Sequence, residues 1–94
     1  MDLAEQKEKH LKIREDVATR EMDGETFFVT PGDWKLHRLN EVGKRIWELA
    51  NEGKKISEII DEIVEEYGAD KEIVEKDCLV FVEELCEKGI AKFI

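Results

Sequence analysis

This sequence predicts an α+β fold: a three-stranded antiparallel meander at the front, followed by three helices. Three observations carry that reading. Two turn signals, Asp23-Gly24 and Pro31-Gly32, separate short runs rich in aromatic and β-branched residues. From Val42 onward, apolar residues recur every three or four positions. Glycines at 53, 68 and 89 then cut that second part into three lengths.

Residues 1–10 are polar, mixed in charge and without a clear period, and read as a flexible tail ahead of a single domain over 11–94. Residues 13–22 read as the first strand, a ragged one with Ile13 and Val17 as its apolar points. Asp23-Gly24 closes a tight hairpin, because both residue types tolerate the positive φ of a primed turn. Thr26-Phe27-Phe28-Val29 forms the second strand. Pro31-Gly32 turns the chain again, Pro presetting φ at one position and Gly accepting positive φ at the next. Residues 34–38 alternate as the third strand, with Trp34, Leu36 and Arg38 on one face and Lys35 and His37 on the other.

Asn40 is a good N-cap for the first helix, whose face is Val42, Gly43, Ile46, Leu49 and Ala50 with Trp47 beside it. Ile56, Ile59, Ile60, Ile63, Val64 and Tyr67 form the second, which stops at Gly68. Asp70 caps a longer third helix that runs to about Lys88 and stops at Gly89. Ile90 to Ile94 is short and apolar, either a last strand or a tail laid on the core.

The third helix holds the least ordinary pattern. Cys78-Leu79-Val80-Phe81-Val82 is an unbroken apolar run. At about 100° per residue such a run circles the helix, whereas packing on one side needs a single stripe. Val74, Cys78, Phe81 and Leu85 suit a face against the other helices. The face near Ile73, Asp77, Val80 and Glu84 must then cover the sheet or line a groove beside a sheet edge.

Composition narrows the function classes. A chain of 94 residues has room for one core. No apolar run approaches the roughly 20 residues that cross a membrane, and the start has neither signal-peptide nor transit-peptide character. A cytoplasmic protein without membrane contact is expected. The net charge of −9 disfavours nucleic acid, since phosphates must be met by cations. Residues 70–88, where a recognition helix would lie, carry seven Asp/Glu against three Lys. Cys78 and Cys86 are eight residues apart on one helix, so their Cα atoms lie roughly 12 Å apart, too far for a disulfide. With His10 and His37 as the two histidines, no metal-ligand spacing appears. One serine, no phosphate-binding glycine loop and no nucleophile–base set argue against an enzyme. No cofactor is expected.

Several short patches occur in a fixed order: the Asp23-Gly24 hairpin, Leu39-Asn40-Glu41-Val42-Gly43 with Ile46-Trp47, and Ile56-Ser57-Glu58-Ile59. Glu66-Tyr67-Gly68, Val74-Glu75-Lys76-Asp77, Phe81-Val82-Glu83-Glu84-Leu85 and Lys88-Gly89-Ile90 follow. Jointly they resemble the PqqD-like family over about residues 11–93. That family is named for a small protein of pyrroloquinoline quinone (PQQ) biosynthesis, and its domain is also called the RiPP recognition element. The resemblance implies a winged-helix-like fold and a peptide chaperone. The leader segment of a ribosomally made precursor peptide adds as a strand to the sheet edge, between the third strand and the third helix. A partner enzyme, often a radical S-adenosylmethionine (radical SAM) protein, then modifies the peptide; PQQ is one of several possible products.

By that resemblance the peptide-binding residues are Trp34, Lys35, Leu36, His37 and Arg38 on the edge, with Asp77, Val80, Phe81, Glu84 and Lys88 across the groove. An edge strand offers unpaired N–H and C=O groups to an extended peptide. Val80 and Phe81 suit its apolar side chains, Asp77 and Glu84 a Lys or Arg, and Lys88 and Arg38 an acid. The alternative reading is a protein–protein adaptor of winged-helix fold with no precursor peptide. A monomer with some tendency to form a weak homodimer is expected, because a free edge can also pair with its own copy.

Overall fold

The computed structural model describes residues 2–32 and 34–94. Its elements are α1 (Leu3–Lys7), β1 (Leu11–Ile13), β2 (Thr19–Met22), β3 (Glu25–Val29) and β4 (Leu36–Leu39), then α2 (Glu41–Asn51), α3 (Ile56–Tyr67), α4 (Lys71–Glu87) and β5 (Ala91–Phe93). The expected α+β architecture is present: β2, β3 and β4 form an antiparallel sheet in that order, and α2 to α4 follow. Asp23 and Gly24 both take positive φ (54° and 79°), as a primed hairpin turn demands.

Four features differ from the sequence reading. Residues 13–22 are not one strand. The chain turns at Arg14, where the Val17 N–H bonds the Arg14 carbonyl at 3.2 Å, and Arg14 pairs with Asp16 at 2.7 Å. This separates β1 from β2, and β1 pairs instead with β5, Leu11 opposite Phe93 and Ile13 opposite Ala91. That pairing also resolves the C-terminal segment as a strand.

The third strand begins at Leu36, not residue 34. Trp34 has φ +58°, which no strand residue adopts, and its N–H bonds the Thr30 carbonyl within the β3–β4 loop. Trp34 and Lys35 therefore belong to that loop, whose Asp33 lies outside the described residues. Where a tail was expected, Asp2 caps α1 by accepting from the Glu5 N–H, and Lys7 reaches Glu75 on α4 at 2.6 Å. Finally, the buried face of α4 is wider than expected: Leu79 and Val82 join Val74, Cys78 and Leu85, while Phe81 packs against the core only half-buried. A 17-residue helix can present that broad a face because α2, α3 and β5 all pack on it.

The helix boundaries follow the expected caps. Asn40 Oδ1 accepts the Gly43 N–H at 2.7 Å, Asp70 accepts from Glu72 and Ile73, and α3 ends on Gly68 at φ +60°. The core is aliphatic: Ile46, Leu49, Ile56, Ile59, Ile60, Ile63, Val82, Leu85 and Ile90 are all fully buried. Each such side chain contributes about 1.5–3 kcal/mol relative to exposure. The inner face of the sheet closes this core through Phe28, whose ring lies 5.1 Å from Trp47 and 4.9 Å from the stacked His37.

Candidate functional site: an open strand edge beside an apolar cleft

β4 is an edge strand with β3 on one side. Its register places Leu36 opposite Val29, His37 opposite Phe28, and Arg38 opposite Phe27. The Thr30 N–H bonds the Lys35 carbonyl at 3.0 Å, so the 30/35 pair is hydrogen-bonded. In an antiparallel ladder such pairs alternate, which makes 28/37 the next one. Leu36 and Arg38 therefore direct their N–H and C=O groups to the open side. Their side chains lie on the outer face of the sheet, while His37 and Leu39 point inward.

Beyond that edge lies a cleft formed against α4. Its larger part, about 310 Å³, is lined by Asn40, Val42, Gly43, Ile46, Asp77, Val80, Phe81 and Glu84. A second hollow of about 280 Å³ meets it at Asn40, Phe81 and Glu84, and extends past His37 and Arg38 to Lys88. Val80 is 50 % exposed and Phe81 half-buried, so apolar surface remains open there. The over-broad apolar belt of α4 thus has one side in the core and one side on the cleft.

Seven of the ten expected residues meet at this cleft: His37, Arg38, Asp77, Val80, Phe81, Glu84 and Lys88. Leu36 contributes its backbone to the edge, and Trp34 and Lys35 lie in the loop before it. Arg38 is engaged across the strands with Glu25 at 3.1 Å. Asp77, Glu84 and Lys88 have no ion-pair partner among the described residues, so their charges are available to a ligand. A larger hollow of about 390 Å³ lies on the far side, between β1 and the end of α2, and contains none of the ten residues.

Sequence reasoning missed the α2 wall. Val42, Gly43 and Ile46 were read as core alone, yet each also lines the cleft. A signal was present in Gly43. Glycine in the first turn of a helix costs about 1 kcal/mol against alanine. Here a Cβ at that position would meet Asn40 Oδ1 at 3.2 Å and Phe81 Cε1 at 3.5 Å. The tight contact is with the helix's own cap, and Phe81 on α4 would stand at ordinary van der Waals distance.

The two cysteines lie outside the cleft lining. Burial pushes the Cys78 thiol up to about 12, and burial with the Glu83 charge raises Cys86 as well. Both stay protonated at neutral pH, which is unsuited to nucleophilic work.

The family model for coenzyme PQQ synthesis protein D (PqqD) matches residues 25–91. The chain belongs to the PqqD family. The matched span begins at β3 and ends at β5, so it takes in both walls of the cleft. Two solved structures are similar in shape to this chain. One, described as TbiB1 in complex with the TbiA(beta) leader peptide, is 34 % identical, with a TM-score of 0.75 over 86 % of this chain and 94 % of that one. The other, lasso peptide synthetase B1 complexed with the leader peptide, has a TM-score of 0.78 over 88 % of this chain and 98 % of that one. At 18 % identity its likeness is one of fold. No curated protein sequence matches this chain.

Proposed function

We propose that this protein captures the leader segment of a ribosomally made precursor peptide and presents it to a separate modifying enzyme, a radical SAM protein or another peptide-modifying class. The reading places that work in the cytoplasm, with no catalysis by this chain itself. It rests on one observation above all: the Leu36 and Arg38 backbone groups face outward beside a cleft floored by Val42, Ile46, Val80 and Phe81. An extended peptide entering there gains a ladder of main-chain hydrogen bonds, and alternate side chains of it enter the apolar floor. Membership of the PqqD family and the 34 % identity to a leader-peptide-bound protein support the same reading.

The test uses synthetic precursor peptides encoded beside the gene, labelled for fluorescence anisotropy. Leu36→Pro removes an outward N–H and spares the β3 ladder, so proline is tolerable there in the folded domain. Its circular dichroism should match wild type, while affinity falls by roughly tenfold or more. A folded variant that binds as wild type does would sink strand addition.

A further inference from the structure

The cleft leaves one apolar surface unexplained. An antiparallel sheet with one face on the core and one in water alternates apolar and polar residues. β3 does not. Phe28 is buried on the inner face, while Phe27 and Val29 point the other way and remain half-exposed. Around them on the same outer face lie Met22 and Leu36, 43 % and 50 % exposed, the latter directly opposite Val29. Trp34, 79 % exposed, stands in the loop next to Leu36. Its left-handed backbone is unfavourable for a bulky residue, and no burial of the ring offsets it. Contiguous apolar surface of this kind marks an interaction site.

We propose that this outer face of the β2–β3–β4 sheet docks the modifying enzyme, through a surface on that enzyme that is apolar at its centre and carboxylate-bearing at its rim. The proposal rests on the leader-peptide reading above. Charge selects the occupant. Arg38 is neutralised by Glu25 at 3.1 Å, whereas Arg20, opposite Phe27, has no ion-pair partner among the described residues. Among the described strand residues, the face thus carries a surplus cation on a chain of net charge −9. A second copy meeting it face to face brings the same unpaired Arg20, while its Glu25 is already engaged by Arg38. A second copy offering its acidic α4 surface makes a head-to-tail contact, which leaves both faces open and grows into chains.

Position selects it too. β4 belongs to both surfaces, with its backbone directed at the captured peptide and its Leu36 and Arg38 side chains directed at the outer face. The added strand extends the same sheet, one strand spacing of roughly 4.8 Å from β4, so a protein seated on the outer face borders the captured peptide. An enzyme seated there lies beside the captured segment.

The experiment measures binding of the full chain, loaded with leader peptide, to the purified modifying enzyme encoded beside its gene. Phe27→Thr/Val29→Thr keeps strand-forming residues on β3 and removes the apolar centre. Arg20→Glu, at an exposed position, reverses the surplus charge with little risk to folding. Both should weaken enzyme binding by roughly tenfold or more while leader affinity stays within about twofold. The Arg20→Glu effect should shrink in high salt. Wild-type affinity for the enzyme in both variants overturns the proposal, as does absence of enzyme binding by the wild-type protein. Sedimentation showing a wild-type dimer lost in Phe27→Thr/Val29→Thr assigns the face to a second copy and overturns it as well. Failure of the leader peptide itself to bind wild type strikes the functional reading instead.

Discussion

α3 and α4 lie side by side and are equally rich in apolar residues, yet they use them differently. In α3, Ile56, Ile59, Ile60 and Ile63 form one stripe, each at most 1 % exposed. In α4, Val74, Cys78, Leu79, Val82 and Leu85 are buried, while Ile73 and Val80 stand 62 % and 50 % exposed. The isoleucines of α3 are consumed by the core. The apolar content of α4 exceeds what the core takes, and part of the excess, Val80 with the half-buried Phe81, faces the cleft beside β4. A helix whose hydrophobic pattern is wider than its packing needs is therefore worth reading as a binding surface.

Mutations divide the two helices along that line. The largest effect on stability belongs to α3: Ile60→Ala should cost about 2–5 kcal/mol by denaturant unfolding, because the cavity opens in a closed core. Val80→Ala on α4 should do the reverse. Its stability should hold or rise by about 0.5 kcal/mol, since alanine is the better helix former. Leader affinity should fall by roughly fivefold to tenfold in the same anisotropy assay. A Val80→Ala protein that binds normally, or an Ile60→Ala protein that stays stable, would erase the distinction between the helices.

Gly43→Ala sharpens it at the facing wall. The added methyl gains up to about 1 kcal/mol in helix propensity, against crowding of Asn40 Oδ1 at 3.2 Å. Net stability should therefore change little, while leader affinity drops because the methyl enters the cleft floor against Phe81. The smallest effect is the acid response of the α2–α3 clamp. Arg45 holds Glu66 in a two-pronged pair, the closer contact 2.7 Å, and keeps that carboxyl below its ordinary range. A carboxyl depressed in the folded state stabilises fully above its unfolded value, and that contribution is lost as pH falls through the folded one. Arg45→Met should flatten this part of the acid-unfolding curve and leave the cleft untouched.

The helices were legible because caps and 3–4 spacing are local properties: Asn40, Asp70, Gly68 and the α3 isoleucines all stand where the sequence placed them. The first strand was misread because its two halves join different sheets. The break at Arg14 to Val17 is a turn without glycine or proline to announce it. Trp34 was placed in β4 because nothing in a tryptophan signals a left-handed backbone. The α4 half of the cleft was visible as surplus hydrophobicity. The α2 half was hidden because Val42 and Ile46 serve the core and the cleft together, and periodicity registers only the first role.

The most direct test of peptide capture at β4 is a ¹⁵N NMR titration of the whole protein with the precursor peptides encoded beside its gene. Strand addition requires the largest amide shifts at Leu36 and Arg38, whose N–H groups gain partners, and along residues 73–88 of α4. Shifts centred instead on β1 and the end of α2, or no shifts with any of those peptides, would contradict capture at this edge.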